Sequence, residues 1–65
     1  MSNTPIDIIR MALEREKQAV RDYTEFAKTA EDPSVREMFL FLIEEEKRHV
    51  KLLQEEIEKE VYQEM

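Results

Sequence analysis

Ala30-Glu31-Asp32-Pro33-Ser34 is the one clear break in a 65-residue chain otherwise written for helix. Pro33 disfavours α geometry for the residue before it, and the short carboxylate of Asp32 is a good acceptor for the unpaired N–H groups of a helix start. The same signal stands upstream as Thr4-Pro5, with Asp7 in the first turn. These signals predict a first helix over about 5–30, a turn over about 31–33 and a second helix over about 33–63, all within one domain spanning 1–65. Two or three connecting residues force the helices to fold back as an antiparallel hairpin. The absence of Gly and the abundance of Glu, Lys, Arg, Leu and Ala fit the same all-α reading.

A chain this short rarely buries enough apolar surface to fold alone without disulfides, a metal or a partner. No Cys is present, which removes disulfides, thiolate metal sites and a Cys nucleophile. A metal bound by carboxylates and His, or oligomerisation, is left. Sixteen acidic residues against ten basic ones give a net charge of -6, which repels phosphate backbones and anionic headgroups. No nucleic acid and no membrane is therefore expected as a partner. The longest apolar run, Met38 to Ile43, is far too short to span a bilayer, and the first residues lack the pattern of a signal peptide. A soluble, cytoplasmic protein is the expectation.

Apolar spacing shows which faces meet. In the first helix the inner seam reads Ile9, Leu13, Glu16, Val20, Tyr23, Ala27, Ala30, flanked by Ala12, Ala19 and Phe26. In the second it reads Val35, Phe39, Leu42, Glu46, His49, Leu53, flanked by Met38 and Leu52, before drifting to Ile57 and Val61. Three of these inward positions are ionisable. Taken singly, each has an ordinary explanation: a glutamate at a seam edge reaches solvent or a Lys, and a histidine satisfies itself in the core. Of the Glu44-Glu45-Glu46 run, only Glu46 falls on the seam; its two neighbours belong to a solvated face.

Register ties the three together. Counted from the turn, Glu16 lies sixteen residues back, and Glu46 and His49 lie fourteen and seventeen residues forward. At a rise of roughly 1.5 Å per residue all three stand about 21–26 Å from the turn, at one level of the hairpin. A two-metal carboxylate site in a four-helix bundle takes a Glu from each of two helices and a Glu-x-x-His from each of the other two. One chain supplies half of that set, so a two-fold dimer of hairpins completes both bundle and site. Hard oxygen ligands with imidazole suit Fe, with Mn or Zn as surrogates.

With Glu16, Ala19, Tyr23, Phe26 and Ala27 on the first helix and Phe39 followed by Glu46-Lys47-Arg48-His49 on the second, the chain resembles the ferritin-like di-iron proteins. The resemblance is strongest to rubrerythrins and, in layout, to two-helix encapsulated ferritins, and it covers about Met11 to Leu53. It implies a ferritin-like four-helix bundle, with Glu16, Glu46 and His49 as metal ligands and Glu46 bridging. It also implies that Tyr23 hydrogen-bonds to a ligand; ordinary core packing, with the hydroxyl finding any acceptor, is the other reading of that residue. The activity implied is that of a ferroxidase: two Fe per dimer, Fe(II) oxidised by dioxygen or peroxide, serving iron detoxification or storage. The alternatives are a peroxide reductase fed by an external electron donor and, without chemistry, a helical oligomerisation module. The shell-targeting tail of encapsulated ferritins is not recognisable after Val61, so the sequence gives no support for a protein shell. Leu40 and Phe41, and Ile8 and Met11, lie off the seam, which leaves two readings: a second interface that builds a homo-oligomer larger than a dimer, a ring-like one among them, or a modest exposed patch or dimer crossing geometry that covers more than one stripe.

Overall fold

The computed structural model describes residues 4–64. Two helices, α1 (Pro5–Thr29) and α2 (Pro33–Glu64), lie antiparallel in the expected hairpin. The result is a slab, 50 × 23 × 11 Å, one helix thick.

Each helix start follows from its sequence. Thr4 caps α1 through its side-chain oxygen, which accepts from the Asp7 backbone N–H at 3.1 Å, while the Asp7 carboxylate accepts from the Thr4 N–H at 3.4 Å. This reciprocal pair satisfies two otherwise unpaired donors. At the turn, Asp32 Oδ1 accepts from the Ser34 N–H at 2.8 Å and from the Ser34 hydroxyl at 3.0 Å. Ala30 ends α1 in extended geometry, and its carbonyl accepts from the Arg36 guanidinium at 2.7 Å. None of the described residues has a positive φ, so this turn closes with no demand for glycine.

The Asp32 cap makes stability depend on pH. Hydrogen bonds from the Ser34 backbone and hydroxyl, and from the Val35 backbone, hold the Asp32 carboxyl below its ordinary value. A depressed folded value means that the cap's contribution is present above the usual carboxylate range. It is lost as pH falls through the lowered folded value. Asp32→Ala is therefore expected to lower the melting temperature at pH 7, with the gap to the parent protein closing as the pH is taken down through that range. A gap independent of pH would refute the charged cap.

The core between the helices is small. Ile6, Leu13, Ala27 and Ile43 are buried, and Tyr23, Phe26 and Phe39 form an aromatic cluster near the turn with ring centroids 5.4–6.3 Å apart. Two of these core residues, Ile6 and Ile43, lie outside the seams read from spacing. Conversely, Val35 of the seam, the flanking Phe26, Met38 and Leu52, and Val61 beyond it are exposed, as are Ile8, Met11, Leu40 and Phe41. The cause is geometric. The apolar stripes are wider than the contact between two helices, and the hairpin covers only the side of each that faces the other. Among the described residues no helix is long and apolar enough to cross a membrane.

Candidate metal centre

Where α1 and α2 pass each other at mid-length, the structure brings Glu16, Glu46 and His49 together, with one ligand-capable atom from each lying within 4.8 Å of the others. Glu16 comes from α1, while Glu46 and His49 sit one turn apart on α2, a spacing that places side chains on one helix face. The imidazole lies between the two carboxylates. Its Nδ1 is 3.6 Å from Glu16 Oε2 and 3.5 Å from Glu46 Oε2.

Burial grades across the site. The Glu46 side chain is 17 % exposed, Glu16 31 % and His49 47 %, so the cluster opens from the interhelical contact toward one face of the slab. The inner end is costly as it stands. Glu46 Oε2 is buried and accepts no hydrogen bond, and a buried acceptor without a donor costs about 1–3 kcal/mol, more for a charged group. A cation beside that oxygen would remove the penalty. The donor set, two carboxylates and an imidazole, fits Fe, Mn or Zn, and three donors from one chain leave room for ligands from elsewhere.

Neighbouring acids separate from the cluster. Glu44 and Glu45 point along the helix surface, where they pair with Lys47 at 3.6 Å and Arg48 at 3.2 Å. The hairpin places Tyr23 two turns from Glu16 along α1, with its ring packed against Phe26 and Phe39. Among the described residues its hydroxyl forms no hydrogen bond with Glu16, Glu46 or His49.

Sequence reasoning singled out the cluster but passed over a groove on the opposite side of the interhelical contact. Lys17, Val20 and Arg21 of α1 and Lys47 and Val50 of α2 line it. Its signal is Lys17 and Arg21, spaced i, i+4 around Val20, which reads on one helix as an ordinary solvated face.

Comparison with known proteins agrees with the geometry. Residues 7–65 match the sequence profile of the family described as Rubrerythrin. An uncharacterized protein of Archaeoglobus fulgidus is 35% identical over 54 residues, which span 83% of this chain and 84% of the relative. No solved structure matches the chain.

Proposed function

Because the chain belongs to the rubrerythrin family, we propose that two copies share a di-iron centre that reduces peroxide with electrons from an external donor. The observation that carries the proposal is the convergence of Glu16, Glu46 and His49 around a buried carboxylate oxygen without a hydrogen-bond donor. Glu16, Glu46 and His49 are the ligands, doubled by the two-fold to four carboxylates and two imidazoles. Two irons held there would supply the two electrons that, with two protons from solvent, reduce peroxide to two waters. The carboxylates offset the charge of the cations. Half-exposed His49 leaves the centre open on the face where the second copy packs, so dimerisation both completes the ligand set and excludes water.

Where the cluster sits supports this dimer. Residue 17 is the midpoint of α1, and the midpoint of α2 falls between Arg48 and His49. A two-fold axis through the mid-length of both helices runs the second hairpin the opposite way with full overlap. The exposed turn-end residues Phe26, Val35 and Met38 of one copy then face the exposed Ile8, Met11 and Leu52 at the open end of the other. Tyr23, in the aromatic cluster near the turn, is proposed to donate its hydroxyl to a ligand carboxylate once the bundle is assembled. Tyr23→Phe tests that role and is expected to leave metal stoichiometry unchanged while slowing turnover; unchanged turnover would refute it.

Ferroxidase chemistry is the second reading, favoured by the donor set itself, because two carboxylates and an imidazole hold iron whichever oxidant it meets. One experiment separates the two. Protein loaded anaerobically with two Fe(II) per dimer is mixed with peroxide or with dioxygen, and ferric absorbance is followed before and after a chemical reductant is added. Peroxide reduction predicts oxidation at least tenfold faster with peroxide, and repeated return to the ferrous state. Comparable rates with dioxygen, with ferric product building up beyond two irons per dimer, would instead support iron oxidation and storage.

A further inference from the structure

The side of the slab turned away from the metal cluster carries two complementary features. The first is the groove whose floor is Val20 and Val50, half-buried at the interhelical contact, and whose rim is Lys17, Arg21 and Lys47. At 100° per residue, Lys17 and Lys47 project on the side of that contact opposite Glu16 and Glu46. Lys17 forms no ion pair among the described residues, Arg21 donates only to the Gln18 amide at 2.7 Å, and Lys47 holds Glu44 in an exposed pair at 3.6 Å. Three cations thus surround an apolar floor on a protein of net charge -6.

The second feature is the far end of α2. With 32 residues against 25, α2 runs about 10 Å past the start of α1 at a rise of roughly 1.5 Å per residue. Glu55, Glu58 and Tyr62 recur there at i, i+3 and i+7, which makes them one helix face, and all three are exposed, Tyr62 at 75%. Between Leu52 and Tyr62 stand four glutamates and one Lys, and that Lys59 is engaged by Glu56 at 3.6 Å. Glu55 and Glu58 have no cation of their own among the described residues.

We propose that the Glu55/Glu58/Tyr62 face of one copy docks in the Lys17/Arg21/Lys47 groove of another, forming a second interface distinct from the one that completes the metal centre. Carboxylates meet the rim cations, and the Tyr62 ring covers the Val20–Val50 floor with a cation above or beside it. Groove and acidic face lie on the same side of the slab, offset along it by about 10–20 Å at the helical rise. Two copies running in opposite directions therefore satisfy each other twice, each giving its acidic face to the other's groove. That reciprocity is the mark of an isologous contact. Combined with the metal-sharing dimer, it builds assemblies of four chains or more, held largely by charge.

Sedimentation of the metal-loaded protein in low salt and in about 1 M salt, where charge interactions are screened within about 3 Å, tests the proposal. Two double variants accompany it: Lys17→Glu with Arg21→Glu, and Glu55→Lys with Glu58→Lys. The parent is expected to run at no less than twice the dimer mass in low salt and as the dimer in high salt. Each double variant is expected to stay a dimer in both, because its groove and acidic face then carry the same sign. An equimolar mixture restores opposite signs across both halves of the contact and is expected to regain the larger mass. Tyr62→Ser, which leaves every charge in place, is expected to weaken the larger assembly without affecting the dimer. A parent that is dimeric at low salt, or variants that keep the larger mass, would overturn the proposal. None of these substitutions touches Glu16, Glu46 or His49, so metal content per chain reports on the shared centre separately.

Discussion

Adding Fe(II) anaerobically, or Mn(II), to the metal-free protein is expected to raise its melting temperature by on the order of 10 °C and to shift its mass from one chain toward two. A ligand that binds only the folded dimer stabilises it by about 2.7 kcal/mol at a hundredfold excess over its dissociation constant. In small proteins each kcal/mol moves the melting point by several degrees. The physical cause is on the structure: the Glu46 carboxylate has a buried oxygen without a donor, and dimerisation without metal would bring a second copy's acids to the same place. The metal-free chain has little else to hold it, because among the described residues only the hydrophobic side chains of Ile6, Leu13, Ala27 and Ile43 are buried. A melting curve and mass unmoved by metal, in protein shown to be metal-free, would contradict the coupling.

Glu46→Ala is expected to produce the largest loss of binding. In a two-fold dimer the substitution removes two ligands at once. Losing even a group that only orients a ligand costs about 10–100-fold in affinity, so the ligand itself should cost more than about 100-fold. Glu16→Ala and His49→Ala should behave alike, whereas Glu44→Ala and Glu45→Ala, whose carboxylates pair with Lys47 and Arg48, should leave metal content intact. Folding should respond in the opposite sense from binding. Glu46→Leu removes a buried oxygen that has no partner and is expected to raise the metal-free melting temperature by several degrees while abolishing the metal-induced rise. Metal analysis and melting curves on the same samples check both halves. Two metals per dimer in Glu46→Ala would remove that residue from the ligand set.

The hairpin was legible because its punctuation is local. Thr4-Pro5 and Asp32-Pro33 act within a few residues of themselves, and the side chains of Thr4 and Asp32 accept the hydrogen bonds their types suggest. The meeting of Glu16, Glu46 and His49 was legible for a different reason: in a hairpin with a short turn, counting residues is equivalent to measuring height. What spacing could not divide was the wide apolar stripe. Whether a given residue faces the chain's own second helix or another copy depends on how the helices rotate against each other. Ile43 thus turned out to be core, and Met38 and Leu52 stayed exposed. The cationic groove was hidden because Lys17 and Arg21 lie on one helix and Lys47 on the other, and each alone resembles a solubilising charge. Only their juxtaposition across Val20 and Val50 makes a surface.

The shared centre itself is tested most directly by native mass spectrometry of protein titrated anaerobically with Fe(II), which weighs chains and metal ions together. Two chains carrying two ions are expected, with singly loaded dimers minor and metal lost from Glu16→Ala, Glu46→Ala and His49→Ala. A single 7.9 kDa chain that holds iron by itself, or a dimer that forms fully and binds none, would contradict the account.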